Sequence, residues 1–175
     1  MNSPGASNRI LLLMRHAKSS WKDHSLADHD RPLNKRGWRD APQMGVRLAS
    51  AKLAPQIIVS STAERARMTA SLLSDVCVPP PMLEFSHDLY HGDEMEYERV
   101  IRPVDDAFRR VMVIGHNPGL EEFVERLVHE RCPLPTSAIA ILELDLASWD
   151  EFRFGTPVVS MQVWRPKDGD SVDCA

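Results

Sequence analysis

Four residues at or just after the ends of short apolar runs carry most of the chemical content of this sequence. Arg15 and His16 follow ILLLM at residues 10–14, and His116 follows VMVIG at residues 111–115. Arg65 comes soon after IIVSS at residues 57–61. If the three runs are neighbouring strands, two guanidiniums and two imidazoles converge on one spot. A phosphoryl group is the natural occupant. Guanidiniums hold non-bridging oxygens with paired hydrogen bonds that lysine cannot reproduce. One imidazole can attack phosphorus, and the other can donate to an equatorial oxygen as charge redistributes. Phosphoryl transfer asks mainly for positioning and electrostatic stabilisation. No metal or other cofactor is implied, because the arginines do the neutralising.

The elements that would position these groups follow from pattern and punctuation. A strand is expected over residues 9–14, then a long polar loop over 17–33. Asn34 can cap a helix to about residue 52, with Pro42 as an irregularity and Met44, Val46, Leu48 and Ala49 as apolar positions. Residues 57–61 read as a strand. Ser61 and Glu64 have capping-box spacing for a helix over 62–75. After Pro79, Pro80 and Pro81, a strand at 82–85, a loop at 87–93 and a helix at 94–101 are expected. Residues 111–115 form the next strand, with Asn117 as a cap and Pro118 at the first helical position of a helix to about 129. An antiparallel pair over 138–146 and 151–164 closes the chain. Alternating strands and helices predict an α/β fold, a three-layer α/β/α sandwich whose mostly parallel sheet has an antiparallel C-terminal strand. Ligands in such sheets bind beyond the carboxyl ends of the strands. Helix N-termini there add free N–H groups and partial positive charge.

The bulk numbers fit one domain of about residues 9–165 between polar tails at 1–8 and 166–175. The 175 residues are 43% hydrophobic and 26% charged, with 21 basic against 25 acidic side chains and a net charge of −4. That balance argues against nucleic acid or an anionic membrane as partner, so an anion site must be a local concentration of positive charge. Cys77, Cys132 and Cys174 are an odd number at wide spacing, which is neither a disulfide framework nor a metal knuckle. A reducing, cytoplasmic setting is expected. The polar start of the chain does not read as a signal peptide, and no run approaches a membrane span.

These residues together resemble the histidine phosphatase superfamily (phosphoglycerate-mutase-like), in particular its small SixA-type phosphohistidine phosphatase branch. The Arg-His-Gly motif appears as Arg15-His16-Ala17. The pattern Ser-x-x-x-Arg-Ala-x-x-Thr-Ala is matched by Ser61, Arg65, Ala66, Thr69 and Ala70, and the second histidine lies in Gly115-His116-Asn117. Arg31-Pro32-Leu33 followed by Gly37, and residues 136–140 (TSAIA), also match that branch. The resemblance spans residues 9–164. It implies that His16 is the nucleophile, that Arg15, Arg65 and Arg31 bind the phosphoryl oxygens, that His116 stabilises the transition state, and that Ser19 is a polar site residue. The substrate implied is phosphorylated, with a phosphohistidine-carrying protein favoured. Ala17 replaces the usual glycine. Larger members carry an acidic general acid after the third strand. Here Asp88, Asp93 and Glu94 are the candidates and none stands out. Phosphohistidine carries its proton on its own imidazole, so a lidless site without an evident acid suits it.

Two other functions compete: a small-molecule phosphomonoesterase of the same fold, and a phosphate-binding module with a decayed site. Retention of both histidines and both core arginines argues against decay. A mutase would need lid material to keep water from its intermediate. His24 and His29 read as solvated loop residues that could edge the pocket. His87 and His91 would make a metal pair only on a helix, and Leu89, Tyr90 and Gly92 around them indicate a loop. Trp21, Trp38, Trp149 and Trp164 read as packing residues.

Overall fold

The computed structural model describes residues 8–166. The two tail segments expected from the sequence therefore lie almost entirely outside the described residues. The strands are β1 (Asn8–Arg15), β2 (Ile57–Ser61), β3 (Met82–Ser86), β4 (Arg110–Gly115), β5 (Ile139–Asp145) and β6 (Val158–Trp164). The α-helices are α1 (Lys35–Ser50), α2 (Glu64–Ser74), α3 (Glu94–Ile101) and α4 (Gly119–Val128). They form one six-stranded sheet in the order β3-β2-β4-β1-β5-β6. β1, β2, β3 and β4 are mutually parallel, and β5 is antiparallel to both β1 and β6.

Alternation along the strands sorts the core into two layers. Leu11 and Leu13 of β1, with Val111 and Val113 of β4, face Tyr97 and Ile101 of α3 and Leu120, Phe123 and Val124 of α4. Leu12 and Met14, with Met112 and Ile114, face Met44 and Leu48 of α1 and Ala66, Ala70 and Leu73 of α2. The helices thus cover both faces, which is why β1 and β4 are apolar without alternation over residues 10–14 and 111–114. Leu11, Leu12, Leu13 and Met14 are fully buried. Truncating Leu12 or Leu13 to alanine should cost about 2–5 kcal/mol, since neither layer can collapse into the gap.

Several local expectations change in the structure. Asn34 caps α1 by accepting from the Gly37 N–H at 3.0 Å, as its position implies, but Val46 points to solvent. α2 starts at Glu64 without a side-chain cap. Its expected cap, Ser61, ends β2 instead, and its hydroxyl is bonded to the Ala63 N–H and to His116. Asn117 does not cap α4 either; its amide donates to the Leu134 carbonyl at 3.1 Å. β6 begins at Val158 rather than near residue 151, because residues 149–151 form a 3-10 turn that buries Trp149. Trp164 is buried, but Trp21 and Trp38 are 64% and 51% exposed, so neither is the packing residue expected.

Candidate active site

The order β2-β4-β1 places the three signal-bearing strand ends side by side. Arg15 is in register with Gly115, so the next residues, His16 and His116, emerge together from adjacent parallel strands. The His16 N–H donates to the Gly115 carbonyl at 3.1 Å, and the two imidazole centroids are 4.8 Å apart. Tyr97 of α3 holds the second histidine by its backbone: its hydroxyl accepts from the His116 N–H and donates to the His116 carbonyl, at 3.0 and 3.2 Å. A side chain at Gly115 would collide with that hydroxyl, which explains the glycine before His116.

The hydrogen bonds determine both histidine tautomers. His16 Nδ1 lies 2.8 Å from the Ala17 carbonyl, an obligate acceptor, so the proton is on Nδ1 and the Nε2 lone pair is free. Arg65 Nε points its N–H at that lone pair from 3.4 Å. His116 Nδ1 accepts from Arg65 Nη2 at 3.4 Å, which leaves Nε2–H to donate to Ser61 Oγ at 2.8 Å. Both rings are nearly buried, each 7% exposed. Burial, followed by the charges of Arg65, Arg15 and Arg31, pushes His16 down to about 3, although its bond to Ala17 opposes the shift. Burial also dominates at His116, followed by His16, Arg65 and His91, and brings it to about 2, against the pull of Asp28. Both imidazoles are therefore neutral near pH 7.

Arg15 sits at the floor beside His16. One guanidinium nitrogen donates to the Leu134 carbonyl at 3.1 Å, while its buried Nε has no partner. Ser137 is next to it. Its N–H donates to the Arg15 and His16 carbonyls, its hydroxyl is buried without a partner, and its φ of 66° is in the left-handed region that side chains seldom adopt. Two unpartnered polar groups against the nucleophile candidate, one of them a guanidinium N–H, fit an anion seat. Such groups cost free energy unless something completes them.

The mouth of the site is satisfied differently. Arg65 and Arg31 both bind Asp28, whose Oδ1 accepts from Arg31 Nη1 at 2.7 Å and whose Oδ2 accepts from Arg65 Nη2 at 3.0 Å. Arg65 Nη1 also donates to the Asp28 carbonyl at 2.6 Å, and the Tyr90 hydroxyl donates to Oδ2 at 3.0 Å. Burial alone would raise the Asp28 carboxyl. The bonds from Arg31 and Tyr90 and the charge and bonds of Arg65 outweigh it, and hold the group well below the usual carboxylate range. Arg31 also donates to Ser19 Oγ at 2.7 Å and the Ser20 carbonyl at 3.0 Å, and Trp21 covers its guanidinium face at 3.1 Å.

The six residues assigned to the site from the sequence are thus brought near one another, but not in one kind of place. His16, His116, Arg15 and Arg65 form its centre. Arg31 stands at the mouth, and Ser19 reaches the site only through Arg31. Ala17 is fully buried with Leu33 and Ala41, so its methyl fills a small apolar contact between the loop and α1. Its N–H donates to Thr69 Oγ1 at 3.0 Å, and Thr69 donates in turn to the Arg65 carbonyl at 2.6 Å, which fastens the loop to α2. Gly37 permits the same approach, because a Cβ there would strike the Lys18 carbonyl. Asp93 caps α3 and Glu94 pairs with Arg126, so two of the three candidate acids have structural partners. His29 edges the pocket: it bonds Thr62 at 3.0 Å and meets Tyr90 edge-on at 4.8 Å. His87 bonds the same Thr62 hydroxyl, whereas His91 meets Tyr90 at a tilt, with ring centroids 4.0 Å apart. The sequence gives no site role to Asp28, Tyr90 or Ser137. Ser137 lies in the matched segment 136–140, and the signal for Asp28 is its three-residue spacing from Arg31; Tyr90 carries none.

Comparison with known proteins bears on the fold and the family. A profile of the histidine phosphatase superfamily (branch 1) matches residues 11–92. An uncharacterized chloroplastic protein of Arabidopsis thaliana is 35% identical over 161 residues, covering 85% of this chain and 73% of its own. A crystal structure assigned as phosphohistidine phosphatase SixA from Agrobacterium tumefaciens superposes with a TM-score of 0.73 at 25% identity, over 87% of this chain and 96% of that one. The protein histidine phosphatase SixA complexed with tungstate has the same fold, with a TM-score of 0.73 at 23% identity over 87% and 95% of the two chains. The chain belongs to the histidine phosphatase superfamily. Membership implies a phosphohydrolase that acts on a phosphorylated substrate. No helix among the described residues is long and apolar enough to cross a membrane.

Proposed function

We propose that this chain is a metal-independent phosphatase that works through a covalent phosphohistidine on His16, and that its substrate is phosphohistidine carried by a protein in the cytoplasm. The observation that carries the mechanism is the His16 tautomer: Nδ1–H is tied to the Ala17 carbonyl and an unprotonated Nε2 faces Arg65. A neutral imidazole with a fixed lone pair needs no base to become a nucleophile.

In the first step Nε2 bonds to phosphorus, and the bond from phosphorus to the substrate atom breaks, with its electron pair leaving on that atom. The new positive charge on the His16 ring is eased by the Ala17 carbonyl at Nδ1. Arg15 Nε and Ser137 Oγ are the unpaired groups that take up phosphoryl oxygens at the floor. Arg65 Nε turns from the lone pair to the same oxygens. A bound dianion adds negative charge beside His116, which favours its protonated form and lets it donate to an equatorial oxygen. In the second step water attacks phosphorus, the P–Nε2 bond breaks, and His16 returns to its starting tautomer. Two arginines, Arg15 and Arg65, with Arg31 at the mouth, provide the charge that a metal provides elsewhere.

The protein substrate is favoured by openness. Only residues 87–93, including a short 3-10 turn, separate β3 from α3, so no lid rises there. Trp21 at the rim is 64% exposed. Covalent trapping tests the function. Incubation with a phosphohistidine protein should leave an acid-labile phosphoryl label on the wild-type chain. His16→Ala should lose both the label and turnover, by at least ~10³-fold. Turnover that survived His16→Ala would remove His16 from the nucleophile's role.

A further inference from the structure

The carboxylate at the mouth has no part in the chemistry derived so far, yet it occupies the middle of it. Among the described residues Asp28 is the only carboxylate paired with Arg31 or Arg65. Arg65 reaches from one group to the other: its Nε meets His16 Nε2, and its Nη atoms meet Asp28. The Asp28 side chain is 41% exposed, against 7% for each arginine, so it stands on the solvent side of both. In-line attack by His16 sends the leaving atom away from Nε2. For a group attached to a protein, that direction is toward solvent. The leaving group therefore passes the Asp28 carboxylate.

We propose that Asp28 sets the leaving-group preference of this site, favouring departure of an imidazole from a substrate ring already protonated on its other nitrogen and disfavouring departure of an ester oxyanion. The inference rests on the phosphohistidine reading above and deepens it. A phosphorylated imidazole carries a proton on its other ring nitrogen. When the P–N bond breaks, the electron pair stays on the leaving nitrogen and a neutral imidazole departs, so no proton has to be supplied. A carboxylate beside the ring stabilises the protonated substrate and the partial positive charge that persists in the transition state. An ester differs at the same place. Its leaving oxygen gathers negative charge, and a carboxylate held ionised by two guanidiniums and the Tyr90 hydroxyl repels it and has no proton to give. A general acid at this position would have the opposite preference, so Asp28 is not a relocated version of the acid found in larger relatives.

The test uses one peptide carrying either phosphohistidine or phosphoserine, and compares kcat/KM for the wild-type chain, Asp28→Asn and Asp28→Glu. The wild type should favour phosphohistidine. Asp28→Asn should shrink that preference roughly 10- to 100-fold, the scale of one screened charge at 5–8 Å, with the phosphoserine rate unchanged or raised. Asp28→Glu should retain the preference. Asp28 begins a short 3-10 turn and its side chain is 41% exposed, and thermal melting will show that the variants are folded. If Asp28→Asn lowers both rates by one factor, Asp28 merely orients the arginines and the proposal falls. It also falls if neither rate changes. A wild-type chain that prefers phosphoserine would instead overturn the substrate assignment, whatever the variant does to the ratio.

Discussion

Arg9 and Arg15 lie at opposite ends of β1, both tucked against the sheet, and their surroundings are opposed. Arg9 is 1% exposed, and its guanidinium is used throughout. It donates to the carbonyls of Ala147, Asp106 and Phe108, pairs with the Asp106 carboxylate at 2.8 Å and stacks on Trp149 at 5.2 Å. Arg15 has a single carbonyl partner, and its Nε is buried without one. A buried cation with all donors occupied joins loops together. Arg15 is half-buried, and its buried N–H is a donor that no described residue uses; under the function proposed above that donor is kept for the phosphoryl group. In that reading the contrast separates stability from function along a single strand.

Exchanging the two arginines for alanine breaks the comparison most directly. Arg9→Ala should lower stability by about 1–3 kcal/mol, since it leaves the carbonyls of Ala147, Asp106 and Phe108 without their donor, and leave kcat/KM per folded molecule unchanged. Arg15→Ala should do the reverse. Turnover should fall about 10²–10³-fold, the usual effect of removing one donor to a developing anion, while the melting temperature holds or rises because an unpartnered buried donor is gone. Parallel urea melts and kinetics on the two variants check both halves. A large loss of stability in Arg15→Ala would make it a second Arg9.

Acid titration sharpens the contrast at the histidines. Folded His16 and His116 titrate near 3 and 2, against an ordinary value of 6.5. The folded chain therefore refuses protons that the unfolded chain accepts. This stability is fully present above about pH 6.5 and is lost as pH falls toward the folded values, at about 1.4 kcal/mol per pH unit for each imidazole. Urea unfolding between pH 4 and 7 should show this slope, and the double variant His16→Gln, His116→Gln should flatten it. A slope unaffected by the double variant would mean that both rings titrate normally in the folded chain.

The smallest expected effect belongs to Ser137. Its hydroxyl is unpartnered beside Arg15 and His16, so Ser137→Ala should reduce turnover by about 5–10-fold, one neutral hydrogen bond in free-energy terms. Stability should hold or rise slightly. An unchanged kcat/KM would show that the phosphoryl group does not use this hydroxyl.

Much of the site was legible because βα junctions are local. Arg15-His16, Gly115-His116 and Ser61 with Arg65 each sit at the end of a strand or the start of a helix, and apolar runs mark strand ends plainly. The three-layer fold followed from the same runs. Asn34 caps α1 as expected, but the other two capping assignments fail for a related reason. Ser61 and Asn117 have the composition of helix caps, but their side chains are bonded elsewhere, Ser61 to His116 and Asn117 to the Leu134 carbonyl. A polar side chain near a helix start takes the best partner within reach, and that partner can come from another element.

From its sequence alone, the chain determined which residue types would stand at the ends of which strands, and hence that guanidiniums and two imidazoles were available to form one cluster. Periodicity and local spacing are enough for that. Only the tertiary structure decided which nitrogen of His16 is free, because a tautomer depends on the acceptor the ring meets. It alone set the parallel register that puts His16 beside His116. It also brought Asp28 onto Arg65, 37 positions away, as the long loop folds back over α2. Charge balance at the mouth is a property of through-space neighbours, which no local pattern records.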